Sequence, residues 1–176
     1  MKFTRALAVV YANIVLYALC YQMQRPIEPF LVEKLGSGGS KAEAALDFGK
    51  VQSFFGTMQT IGSFVFGLML DRIGAKAGFL IVFLSAFCSY SLLATATSMQ
   101  ALYLSKVPSM FLHAFMVAQM CVSQQTSPED RAQALGLLVT SYTIGATVGP
   151  ALGGLIGASG DYYFGARLAA AGSLLS

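Results

Sequence analysis

Long runs without a charged side chain constrain this sequence more than any other feature. Residues 6–24, 51–70, 77–105, 107–128 and 132–160 contain no Asp, Glu, Lys or Arg. Crossing the roughly 30 Å hydrocarbon core of a bilayer takes about 20 apolar residues as a helix. Strands of a membrane barrel would instead alternate apolar and polar positions over about ten residues, and these runs do not. The expectation is an all-helical membrane protein with segments at about 4–31, 48–70, 77–97, 101–125, 128–158 and 165–176. The sixth is expected to be incomplete, because the eleven residues from Ala166 rise only about 16 Å.

Composition excludes other classes. Only 11% of residues are charged and mean hydropathy is +0.65, whereas a water-soluble domain carries about a quarter charged residues. The net charge of +3 is small and no basic cluster occurs, which sets nucleic acid aside as a partner. Cys20, Cys88 and Cys121 lie in apolar runs without metal-ligand spacing and read as small buried hydrophobes; neither metal nor cofactor is expected. Lys2 and Arg5 before an apolar run resemble a secretory signal, but 21–25 offers no small-residue cleavage site, so this run reads as the first permanent helix.

Glycine and proline punctuate the runs. Pro26 and Pro29 should bend the far end of the first segment, and the polar stretch 32–47, with Gly36 to Ser40, reads as a loop. Ser127, Pro128, Glu129 and Asp130 form a helix-start signal: a capping hydroxyl, proline at the first helical position and acids in the first turn. Basic residues place the N-terminus in the cytoplasm, with Lys2, Arg5, Arg72, Lys76 and Arg131 inside. Lys34, Lys41 and Lys50 then lie outside, and Arg25 and Arg167 near the outer boundary.

The sharpest motif joins the second and third segments: Gly67, Asp71, Arg72, Gly74 and Lys76, where two glycines permit close packing and a tight reversal. In the fifth segment Gly145, Gly149, Gly153 and Gly157 recur every four residues, with Pro150 and Gly154 embedded, a pattern that lets two helix backbones approach closely. A second small-residue face runs through Gly49, Ser53, Gly56, Thr60, Ser63 and Gly67. The first motif resembles the G-x-x-x-D-R-x-G-R-R signature of the major facilitator superfamily, with Ala75 at the first of its two final basic positions. The embedded Gly-Pro resembles that family's antiporter-type motif, and Lys106 matches the basic residue of an R-x-x-x-G motif in which Met110 replaces the glycine. The runs 105–113, 118–120 and 127–131 are similar to organic-cation-transporter-like proteins of the solute carrier family 22 member 18 type, and to related drug and tetracycline exporters.

The resemblance implies a six-helix amino-terminal bundle of a twelve-helix fold, built from two inverted three-helix repeats and paired with a missing C-terminal helical half. It also implies secondary transport of a small organic solute by alternating access across a lipid bilayer, with proton-coupled antiport of an organic cation or drug as the specific form. Asp71, with Arg72, Lys76 and Arg131, would then act as a conformational latch at the cytoplasmic face.

Polar residues inside the runs are the remaining signal, because each needs a partner or a wet cavity. Asn13, Tyr17, Tyr21, Gln24 and Glu28 follow at three or four residues and share one helix face, which reads either as interhelical hydrogen bonding or as a cavity wall. Gln52 and Gln59 face the same space on the second segment. Lys106 and His113, seven apart and so roughly 10.5 Å along one face of a continuous helix, are candidate charged and titratable elements of that cavity. The alternatives are snorkelling of Lys106 to the headgroups and a neutral, hydrogen-bonded His113. No enzyme constellation occurs: there is one histidine and no HExxH, GxSxG or phosphate-binding loop. The rival to a transporter is a half-length helical scaffold or assembly subunit, a reading prompted by the end of the chain at Ser176.

Overall fold

Residues 4–36 and 39–176 are described by a computed structural model. Lys2, counted toward the orientation, and Ser37 and Gly38 of the expected loop lie outside the described residues. The described chain is helical and without strands: α1 Arg5–Met23, α2 Glu28–Leu35, α3 Lys41–Ala94, α4 Met99–Lys106, α5 Ala114–Gln125, α6 Pro128–Ala158 and α7 Phe164–Leu175. A 3₁₀ turn, Val107–Phe111, separates α4 from α5.

The stretches Arg5–Leu35, Lys41–Ala94, Met99–Gln125 and Pro128–Ala158 are long and apolar enough to cross a membrane. At 1.5 Å per residue the 54 residues of α3 extend about 80 Å, far more than one crossing, so the helix must fold back. It does so at one residue. Gly74 has φ 76° and ψ 172°, a backbone state essentially reserved for glycine, and the turn expected over 71–76 is compressed into this single break.

Three further expectations change. The first segment is two helices, parted at 24–27 by Pro26, with Pro29 in the first turn of α2. Much of the expected loop is helical: α2 reaches Leu35, and Ser40 and Glu43 form a reciprocal capping box that starts α3 at Lys41. Cys88 is exposed on α3 and Cys121 half-buried, so only Cys20 has the buried position expected of all three.

The most extensive helix pair is α1 against α6. Gly145, Gly149 and Gly153 of α6 lie directly against the α1 backbone: a Cβ added to them would fall 2.3, 2.8 and 2.1 Å from the carbonyl oxygens of Val15, Leu19 and Met23. Gly154 and Pro150 face outward. The small-residue face of α3 behaves differently. Gly49 and Gly56 meet nothing within 4 Å, and the close approach is made by Gly62, against the backbone of Met110. Leu7, Ile14, Phe66, Val82, Val117 and Leu138 close the core among α1, α3, α5 and α6.

Candidate substrate-binding site

The two interrupted segments meet. Pro108 has no N–H to continue a helix, and from Lys106 to His113 the span 99–125 opens into the 3₁₀ turn. Backbone carbonyls of an irregular stretch in an apolar setting need donors, and four here accept from side chains. Ser89 Oγ donates to Ser105 O (2.7 Å), Ser109 Oγ to Lys106 O, Gln59 Nε2 to Ser109 O (2.7 Å) and Tyr17 OH to Leu112 O (2.6 Å). Three of these donors come from α1 and α3, so the opening belongs to the tertiary structure.

At one end of the opening the Lys106 ammonium is paired with Glu28, the first residue after the break in the first segment. The other Glu28 oxygen accepts from Gln52 Nε2 at 2.7 Å. Lys106 is 8% exposed and Glu28 6%, so Lys106 is held inside and does not snorkel. Its ammonium also stands 5.7 Å from the centre of the Phe55 ring. Tyr21, Gln24, Arg25 and Tyr90 complete the wall of a cavity of about 40 Å³, room for a few waters at most.

At the other end lies an open hollow of about 440 Å³, within the range of small-molecule sites. Tyr17, Tyr21, Phe115 and Tyr142 supply aromatic faces; Gln59, Gln119 and His113 supply polar groups. His113 stacks on Phe66 with ring centres 6.0 Å apart, and its Nε2 is buried without a hydrogen-bond partner. The two hollows share Tyr21 and Leu112.

The expected residues therefore divide. Tyr21, Gln24 and Lys106 line the small cavity, and Tyr17, Tyr21 and His113 the large one. Asn13 lines neither; its amide donates to Ser176 O at 3.2 Å. Lys106 and His113 do not share a face of one helix as expected, since the 3₁₀ turn intervenes and each serves a different hollow. Asp71, Arg72, Lys76 and Arg131 are all exposed, and among the described residues no ion pair engages Asp71. Tyr90 and Tyr142 escaped sequence reasoning, although each is the sole tyrosine of its run, 77–97 and 128–158, a usable signal.

Residues 10–176 match the Major Facilitator Superfamily, and the chain belongs to that family. It is 34% identical to mouse solute carrier family 22 member 18 over 151 residues, 83% of this chain and 36% of that protein. It is 29% identical to the class C tetracycline resistance protein of Escherichia coli over 159 residues, 90% of this chain and 39% of that one. The solved peptide transporter POT in complex with sulfate superposes with a TM-score of 0.80 at 20% identity, covering 97% of this chain and 36% of the transporter, a likeness of fold. The chain thus spans little more than a third of the curated relatives it matches. It is an integral, multi-pass membrane protein.

Proposed function

We propose that this chain forms one half of a secondary transporter that moves a small organic solute by alternating access. The observation that supports this most is the large hollow: about 440 Å³ of space, walled by aromatic and amide side chains, beside an opened helix in a span otherwise apolar. Soluble-protein cores bury such groups against each other; here they line a hollow. Tyr17, Tyr21, Phe115 and Tyr142 suit a lipophilic or cationic compound, because ring faces attract cations without a counter-charge. Exchange of cargo for protons is the form that the antiporter-type Gly149-Pro150 motif implies, and His113 is a titratable group at the large hollow placed to take part.

The opposite wall is assigned to a second helical bundle, which would cover the open small-residue face of α3 and the outward face of α6. Rocking of the two halves would expose the hollow to each side in turn. Asp71, Arg72, Lys76 and Arg131 are assigned to the cytoplasmic contact between halves, with the N-terminus on the same side. Purified full-length protein in proteoliposomes, scanned with cationic and neutral drugs with and without an imposed proton gradient, tests the reading. Solute-specific uptake that responds to the gradient is expected. A lipid-embedded protein that moves no compound, yet co-purifies with a stable partner chain on α3 and α6, would replace it with the scaffold reading.

A further inference from the structure

The small cavity is unlike the large one in charge. Its wall holds two basic side chains, Lys106 and Arg25, against one acid, Glu28. Both Glu28 oxygens already accept, one from Lys106 and one from Gln52. The donors are less fully engaged. An ammonium has three N–H groups and Lys106 is seen to use one on Glu28; a guanidinium has five, and Arg25 directs one to Tyr21 OH at 3.1 Å. Tyr90, also in this wall and 95% buried, has a hydroxyl with no hydrogen-bond partner. A polar space with surplus donors and a net positive wall, buried at Lys106 and Tyr90 and open at Arg25, favours an acceptor that carries negative charge.

We infer that the cavity bounded by Lys106, Arg25 and Tyr90 is a binding site for a compact monovalent anionic group. At about 40 Å³ it admits a carboxylate or a halide, and it excludes the body of an organic solute. Because Tyr21 and Leu112 border both hollows, the two spaces adjoin, and the organic part of a cargo whose carboxylate is seated here would lie toward the aromatic hollow next door. The inference rests on the transport reading for a small organic cargo and narrows its lipophilic form: a lipophilic cargo bearing an acid group is held at two points, head in the small cavity and body in the large one. The occupant has two possible sources, the acid group of the solute or an inorganic anion from solution.

Binding is measured apart from transport, so the two readings fail separately. Purified full-length protein in detergent, kept in a HEPES buffer free of carboxylate and halide, is titrated with sodium benzoate, with benzamide and with sodium chloride, and thermal unfolding is followed. Benzoate is expected to raise the midpoint saturably while benzamide does not, and Arg25→Gln and Tyr90→Phe are each expected to weaken the benzoate response at least tenfold. Arg25 is exposed and Tyr90→Phe keeps the ring, so both variants should remain folded. A saturable chloride response that the same variants weaken, and that benzoate does not add to, supports the site and assigns it to an inorganic anion. Equal effects of benzoate and benzamide, or responses unchanged in both variants, overturn it, whatever the uptake assay shows.

Discussion

Proline sits in the middle of two long spans and has opposite consequences. Pro150 lies inside α6, which runs unbroken from Pro128 to Ala158, whereas Pro108 lies where α4 ends and the 3₁₀ turn begins. The difference is in the neighbours. Around Pro108, Ser89, Gln59 and Tyr17 donate to backbone oxygens of the opened stretch at 2.7 Å or less. Pro150 faces outward, and beside it the inner face of α6 is given to glycines that bring the α1 backbone into direct contact. A span opens where side chains can replace its hydrogen bonds, and stays closed where only backbone fits. One contact is therefore built for rigidity, the other for chemistry.

The sharpest way to break this contrast is to disturb the opened span at its charged end. Lys106→Gln leaves Glu28 buried without its counter-charge, and removal of one partner from a buried pair costs about 3–5 kcal/mol. Unfolding of the full-length protein in detergent should show that loss, and the double variant Glu28→Gln with Lys106→Gln should recover most of it. Equal losses in single and double variants would mean that shape, not charge pairing, holds this end. Next in size is the rigid contact. Gly153→Ala forces a methyl to within 2.1 Å of Met23 O and should cost about 1–3 kcal/mol, while Gly154→Ala, with nothing within 4 Å, should be neutral or slightly stabilising. If the two substitutions behave alike, the glycine stripe is not the close-packed seam between α1 and α6.

How much of this was legible in the sequence follows from the same contrast. Charge-free runs and a four-residue glycine period are local patterns, and the fold class and the Gly145–Gly153 seam were readable from them. Gly74 was visible as a turn residue, although not as the whole turn. The opened span was hidden. Pro108 announces that a helix is disturbed, but Pro150 announces the same, and only the donors on α1 and α3 separate the outcomes. The Lys106–His113 spacing misled for this reason, since helical arithmetic assumes the helix continues. Glu28 was on the page as part of the polar stripe; its pairing with Lys106, 78 residues away, was not.

A smaller effect tests the donors themselves. Tyr17→Phe removes the hydroxyl that caps Leu112 O and keeps the ring stacked on Tyr21, with ring centres 6.1 Å apart. Hydrogen bonds between membrane helices average about 0.6 kcal/mol, so a loss of roughly 0.5–1.5 kcal/mol is expected. If the opening is conformationally active, uptake in proteoliposomes should fall by more than the fraction of protein lost. Uptake that tracks folded protein alone would make Tyr17 a structural cap only.

The smallest stability effect is expected at the end of the molecule furthest from either contact in character. Asp71 is exposed and unpaired among the described residues, three positions before the Gly74 break. Substitutions at such a surface position usually change stability by no more than about 0.5 kcal/mol, and Asp71→Asn should fall in that range. If Asp71 takes its partner from the second bundle, as proposed, the same substitution should redistribute inward-open and outward-open states in the full-length protein, because the lost attraction exists in only one of them. Cysteine-accessibility labelling on the two sides of the hollow reads that distribution. A shift in labelling without a shift in unfolding would locate the partner outside this chain; unchanged labelling would leave Asp71 a solvated turn residue and remove the latch from the transport reading.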